Sequence, residues 1–210
     1  MKYLFIFLFG VIFLTCQTNT SSFQKNEIFG QFPMAVGYTW EYSVQDTTFY
    51  FRFSDSMQVK NGIMQVKIIG KIEQENREVE YLWQYRFNGE IVDTLYVVPS
   101  GDSLFFYYDE GRVVKWMLVF PLQVGKSWEY NECDKYRVIR KEMFPLPIRS
   151  MEEVFVAQRQ FMCEAEASLI EQFFIHPRIG LIRYESEYFN IFYGISRVQH
   201  WKLKSYRVNS

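Results

Sequence analysis

Apolar and polar residues alternate with a period of two through much of this chain. That is the pattern of strands that bury one face and wet the other. It is cleanest over 79–87, where Val79, Tyr81, Trp83, Tyr85 and Phe87 share one face and Glu80, Gln84 and Arg86 the other. Asn88-Gly89 then supplies the positive φ of a tight hairpin turn and leads into a strand at 91–98. Upstream, Phe49, Phe51 and Phe53 alternate with Tyr50 and Arg52. Asn61-Gly62 is a second turn signal, and Met64, Val66 and Ile68 alternate with Gln65 and Lys67. Downstream, Pro99-Ser100-Gly101-Asp102 leads to a strand at 104–108, and Glu110-Gly111 to one at 113–120. The middle of the chain reads as a β-meander of about six strands.

The C-terminal half is less regular. Strands are predicted at 135–141, 153–158, 163–175, 181–187 and 197–208, with Pro145 and Pro147 breaking the chain between the first two. Residues 164–171 suit a helix or a strand, but Ile170, Gln172 and Phe174 against Glu171 and Phe173 continue a strand.

One pattern recurs. Residues 32–42 (Phe-Pro-Met-Ala-Val-Gly-Tyr-Thr-Trp-Glu-Tyr) return at 120–130 as Phe-Pro-Leu-Gln-Val-Gly-Lys-Ser-Trp-Glu-Tyr, with seven of eleven positions identical. In each copy Pro fixes a bend, Val-Gly makes a turn, and Trp-Glu-Tyr starts a strand with its two rings on one face. Trp40 with Tyr42 and Trp128 with Tyr130 are then either a platform for sugar or lipid, or a duplicated packing corner. The large area that Trp buries favours the corner. The spacing exceeds the roughly 20–50 residues of a solenoid repeat. It suggests two related halves, 31–119 and 120–210.

Composition agrees with β structure: 20% of residues are aromatic, including 21 Phe and 15 Tyr. A net charge of −1 offers nothing to nucleic acid or to an anionic surface. The N-terminus changes the picture more. Lys2 precedes an apolar run at 4–14, followed by Cys16 and the polar stretch 17–22. At about 1.5 Å per residue this run is too short to cross a ~30 Å hydrocarbon core, and it fits a secretory signal peptide.

With Cys16 at its end, this segment resembles a bacterial lipoprotein signal, which implies acylation of Cys16 at the new N-terminus. It departs from the usual box in having Phe13 and Thr15 where Leu and a small residue are expected. The other readings are a plain cleaved signal and an uncleaved anchor, and all three imply export. The expected organisation is a signal peptide at 1–15, a lipid-anchored tether at 16–30 and one all-β domain at 31–210. In an oxidising compartment Cys133 and Cys163 can form a disulfide, the alternative being two buried thiols.

Phe-Pro-Leu-x-Val-Gly-x-x-Trp-x-Tyr resembles a signature of small predicted lipoproteins from Bacteroidota and neighbouring phyla. Residues 177–185 (Pro-Arg-Ile-Gly-Leu-Ile-Arg-Tyr-Glu) resemble their Pro-Gly-x-Gly-Leu-x-x-x-Glu segment, with Arg178 in place of glycine. Residues 201–206 (Trp-Lys-Leu-Lys-Ser-Tyr) resemble their closing Trp-x-Leu-x-Ser-Tyr. The resemblance implies an envelope location and an all-β fold, and assigns no chemistry. A looser likeness is to periplasmic carriers of the LolA/LolB type, whose curved sheet holds acyl chains. By the sorting rules of diderm bacteria, Gln17 in place of Asp favours the outer membrane.

No motif carries catalysis. His176 and His200 are the only histidines, and neither stands in metal-ligand spacing. Phosphate loops, Gly-x-Ser-x-Gly and Asp-rich calcium patterns do not occur. No catalytic, cofactor or metal residue is therefore assigned. The expected fold is an all-β antiparallel meander forming a strongly curved sheet, an incomplete barrel or a two-sheet sandwich. The leading expectation is a non-enzymatic, membrane-tethered envelope protein that binds an apolar ligand or envelope component in its concavity, which requires an apolar cavity. The alternative is a structural or assembly subunit binding protein through an exposed edge or aromatic patch, which requires a filled core. A glycan-active enzyme, needing convergent carboxylates, ranks last.

Overall fold

Strands that bury alternate side chains leave a continuous apolar face, and that face is hidden only if the sheet curls on itself. The computed structural model shows this outcome and describes residues 32–52, 55–73, 79–108, 113–147, 150–164 and 166–207. The expected signal peptide at 1–15, Cys16 and the expected tether at 16–30 lie outside these residues. Every regular element among them is a strand: β1 (Thr39–Tyr50), β2 (Ser56–Glu73), β3 (Val79–Phe87), β4 (Glu90–Ser100), β5 (Ser103–Tyr107), β6 (Val114–Val119), β7 (Ser127–Asn131), β8 (Asp134–Pro145), β9 (Met151–Glu164), β10 (Ala167–His176), β11 (Gly180–Asn190) and β12 (Ile195–Arg207). They form one antiparallel sheet in the order β6-β5-β4-β3-β2-β1-β12-β11-β10-β9-β8-β7. Sequential neighbours pair throughout, and the first strand pairs with the last, Thr39 opposite Arg207. The result is a nearly closed barrel whose one unsealed seam lies between β6 and β7.

Aromatic rings fill the interior. Trp40 stacks on Trp83 at 5.1 Å, Trp83 meets Phe106 edge-on at 5.6 Å, and Phe106 stacks on Trp116. Trp116 of β6 then reaches across to Phe173 of β10 at 5.1 Å, so the rings tie the two sides together. Burying each such side chain stabilises the fold by roughly 1.5–3 kcal/mol, and each ring pair adds about 0.5–1.5 kcal/mol. The alternation is plain in β8, which turns Tyr136 and Val138 in and Lys135 and Arg137 out.

The Asn88-Gly89 turn and the strand at 79–87 form as the pattern predicts, with φ of 51° and 91° at the two turn residues. Glu80, expected on the wet face, is however buried, and Val79 and Tyr81 are only half-buried, beyond a register shift between Ile68 and Gly70. Asn61-Gly62 is a correction. These residues lie inside β2, opposite Gln45 and Val44, and do not turn the chain. A Cβ at Gly62 would meet the Phe87 ring and Asn88 Oδ1 at 2.6 Å. The glycine therefore makes room for the next hairpin, whose Asn88 Oδ1 accepts a bond from Ile63 N–H at 2.9 Å. The single strand expected at 163–175 is a hairpin instead, with β9 ending at Glu164 and β10 starting at Ala167. Phe49 also departs from expectation. Trp40, Tyr42 and Val44 fix the inward parity of β1, so Phe49 faces outward and is exposed.

The two similar segments make the same glycine turn, although the Phe120-Pro121 peptide is cis and Phe32-Pro33 is not. Gly37 and Gly125 have φ of 96° and 89°. Gly37 N–H donates to Ile68 O and Ile68 N–H to Tyr38 O; Gly125 N–H donates to Val138 O and Val138 N–H to Lys126 O. Their first residues, Phe32 and Phe120, touch edge-to-face at 5.5 Å.

Candidate functional site

The inner face changes character towards one end of the barrel. Near the Thr39 end of β1 it is apolar, but along β8–β10 it carries Asp134, Arg159 and Glu171, all buried. Arg159 donates to both Asp134 oxygens at 2.7 and 2.8 Å and to Glu171 at 2.7 Å. Tyr184 donates to the other Glu171 oxygen, and Tyr136 donates to Asp134 at 3.4 Å. Burial opposes the charge on Arg159, but its two carboxylate partners outweigh that and hold its pKa above the usual value. Burial raises the Tyr136 and Tyr184 phenols, with Asp134 and Glu171 adding to the shift in turn. Each carboxylate is thus already engaged by a cation and a phenol. Such a network positions strands and does not present a free acid and base pair.

Beside it lies a cavity of about 110 Å³, walled by Tyr85, Trp116, Phe173, Tyr184 and Trp201 together with Lys115, Glu171 and Gln199. The Lys115 ammonium pairs with Asp93 at 3.1 Å and lies 4.8 Å from the Tyr108 ring centre. Burial raises the Tyr108 phenol, and Glu171 raises it further. Gln199 links this cavity to an open groove of about 360 Å³ on the same face, by donating to Asp46 at 3.1 Å. In the groove Asp46 accepts two bonds from Arg197, at 2.9 and 2.5 Å, which hold its carboxyl below the usual range.

Beyond the groove one side of the rim rises to an apolar tip. β3 pairs with β2 only as far as Met64, so residues 56–62 of β2 run past the rim against β1 alone. At about 3.3 Å per residue this carries the β1–β2 hairpin roughly 20 Å past the end of β3, while the β11–β12 hairpin beside it stays flanked by β10 as far as Asn190. Their ends are apolar and exposed: Phe49, Phe51, Met57 and Val59 on one hairpin, Phe189, Ile191, Phe192 and Tyr193 on the other. The two ends are fastened together. Phe51 stacks on Phe189 at 5.5 Å, Phe51 N–H donates to Gly194 O at 2.9 Å, and Arg52 donates to Phe192 O.

The residues singled out from the sequence do not converge on this end. Trp40 is buried and donates its Nε1 proton to Ile179 O at 2.5 Å, and Tyr42 donates to Leu181 O at 2.9 Å. Trp128 is buried against Tyr136 at 5.5 Å, and its Nε1 has no partner among the described residues. Tyr130 departs from the packing-corner reading: it is 44% exposed. The register of β7 against β8 shifts between Glu129 and Asn131, which turns this ring out of the core. Cys133 and Cys163 form a disulfide that ties the start of β8 to the end of β9. His176 faces Glu152 at 3.8 Å and His200 faces Glu185 at 3.4 Å. Among the described residues no three His, Cys, Asp or Glu side chains gather to hold a metal ion.

Neither the ionic network nor the tip was anticipated. Asp134, Arg159 and Glu171 are far apart in sequence and meet only through strand pairing. The tip did leave a signal: Phe189 to Tyr193 put four large apolar residues around a turn, where polar ones are usual.

No family model and no curated protein sequence matches the chain. Among solved structures it is similar to a candidate exported protein with a YmcC-like fold from Bacteroides fragilis, at 12% identity over 84% of this chain and 98% of that one, with a TM-score of 0.45. A candidate lipoprotein from Parabacteroides distasonis aligns at 12% identity over 86% of this chain and 98% of its own, with a TM-score of 0.39. A candidate outer membrane lipoprotein-sorting protein domain from Vibrio parahaemolyticus aligns at 8% identity over 90% and 91%, with a TM-score of 0.23.

Proposed function

We propose that this chain is a non-enzymatic lipoprotein of the cell envelope. Residues 1–15 export it, Cys16 carries the acyl anchor, and its β domain engages another envelope component from the outside of the barrel. Gln17 favours the outer membrane as its site. The observation that carries this reading is where apolar surface lies. Rings fill the interior, and the cavity of about 110 Å³ has Lys115 and Glu171 in its wall. Ligand pockets usually measure about 300–1,000 Å³, so this one is too small and too charged to store an acyl chain. Large apolar side chains are instead exposed at the tip. That distribution suits the surface-binding alternative better than a carrier. We also read 32–42 and 120–130 as copies of one unit, dividing the domain into related halves.

Two measurements test the proposal. Mass spectrometry of the protein from host membranes should find an N-terminal peptide that begins at an acylated Cys16, and Cys16→Ala should abolish that acylation. Native mass spectrometry of the chain from residue 17 onward should show no lipid held inside the domain. A stoichiometric lipid inside the domain would restore the carrier reading.

A further inference from the structure

The apolar tip is the feature that a barrel with a filled core does not need. Contiguous exposed apolar surface at one end of a barrel marks a contact with something else. We infer that this tip inserts shallowly into the surface of a lipid bilayer, giving the domain a second membrane contact in addition to the Cys16 anchor. The inference rests on the envelope reading only for the presence of a membrane.

Three observations select a bilayer as the occupant. The first is shape. Ile191, Phe192 and Tyr193 form the turn of a hairpin at the end of the barrel and are each more than half exposed, so they can meet a flat surface.

The second is hydrogen bonding. Polar backbone groups enter lipid only if they are already satisfied. Here Phe51 N–H bonds Gly194 O, Gly194 N–H bonds Ile191 O, and Ile191 N–H bonds Glu166 O. Tyr193 N–H donates to Asn190 Oδ1 at 2.9 Å, and Arg52 covers Phe192 O. A surface built to receive a partner strand would leave such groups open.

The third is reach. Phe32 lies at the opposite end of β1, where Pro33 borders Gly180. The fifteen residues between Cys16 and Phe32 span up to about 50 Å when extended, while β1 is about 40 Å long. An anchor at Cys16 therefore allows the tip to touch the same membrane. The ring-and-cation composition suits the interface, since Arg52 lies 5.6 Å from the Phe192 ring centre. Asp55 and Glu187 flank the tip and limit the depth to the outermost side chains.

The test uses the chain from residue 17 onward, which has no anchor and retains all twelve strands, since each pairs only with others in 39–207. It is floated on a density gradient with vesicles of phosphatidylethanolamine and phosphatidylglycerol. The parent chain should co-float, and Ile191→Ser combined with Phe192→Ser should reduce partitioning at least tenfold while near-ultraviolet circular dichroism stays unchanged. If the double variant is unfolded, Phe192→Trp takes its place, and lipids brominated on the acyl chain should quench the added indole emission. A parent that stays with the soluble fraction, a folded double variant that floats equally, or an added emission that the brominated lipid leaves unquenched would overturn the inference. So would a parent dimer in sedimentation that the double variant abolishes, because the patch would then belong to a second copy. Acylation of Cys16 is read separately by palmitate labelling of the full chain, so failure of the anchor and failure of the tip are distinguishable.

Discussion

The segments 32–42 and 120–130 bend the chain with the same glycine conformation and the same pair of backbone bonds, yet they deliver strands into different settings. β1 is paired on both sides and lies at the middle of the sheet, while β7 is an edge beside the seam. Trp40 and Tyr42 consequently find partners on β11 and the loop before it, and Trp40 rests on a stack of rings. Trp128 has a neighbour on one side only, and beneath its partner Tyr136 lies the ionic network of Arg159. Local sequence thus sets the corner, and the number of flanking strands sets how much each side chain contributes. Trp40 is held by a stack of rings and a hydrogen bond, Trp128 by its single stacked partner.

That contrast can be broken most severely at the charged end. Arg159→Ala should destabilise the fold by about 3–5 kcal/mol in urea unfolding, because it leaves two buried carboxylates without their cation. A loss near zero would mean that the network plays no part in holding β8 to β10. Next in size is the tryptophan pair. Trp40→Ala should cost about 3–5 kcal/mol, and Trp128→Ala roughly 2 kcal/mol less, since the edge site can relax or admit water. Equal losses by the same measurement would refute the distinction between a central and an edge strand. The glycines sharpen the comparison from the other direction. Gly37→Ala and Gly125→Ala should each cost about 1–2 kcal/mol, and the two thermal shifts should match, because both residues have positive φ. Smallest is the tyrosine pair. Tyr42→Phe removes a bond to Leu181 O and should cost about 1 kcal/mol, whereas Tyr130→Phe should stay within roughly 0.5 kcal/mol; a reversed order would show that Tyr130 has an unrecognised partner.

What could be read from the sequence follows from how local each decision is. The strand at 79–87 is legible from Trp83 onward because its own alternation decides which face is buried, whereas Glu80 lies past the register shift with β2 and is buried against the pattern. The Asn88-Gly89 turn is legible because both residues adopt the positive φ themselves. Asn61-Gly62 has the same dipeptide but a different fate, decided by a Phe87 ring that occupies the space where a side chain would be. The outward turn of Phe49 could have been inferred by counting from Trp40, whereas the break between Glu164 and Ala167 has no glycine or proline to mark it. The candidate site was least visible. Its charged residues come from three strands and mean nothing individually, and its apolar tip combines two hairpins more than a hundred residues apart, whose adjacency depends on β1 pairing with β12.

That last pairing also says something about chain connectivity. Read across the sheet from seam to seam, the strands run β7 to β12 and then β1 to β6, each next to its successor in that order. The barrel is therefore an ordinary linear meander whose chain has been cyclically permuted. The peptide link from β6 to β7 spans the one joint at which no strand pairing is found among the described residues, while the joint between β12 and β1 is paired and has no peptide link. Continuity of backbone and continuity of sheet are broken at opposite places, so neither half can float free of the other at either joint.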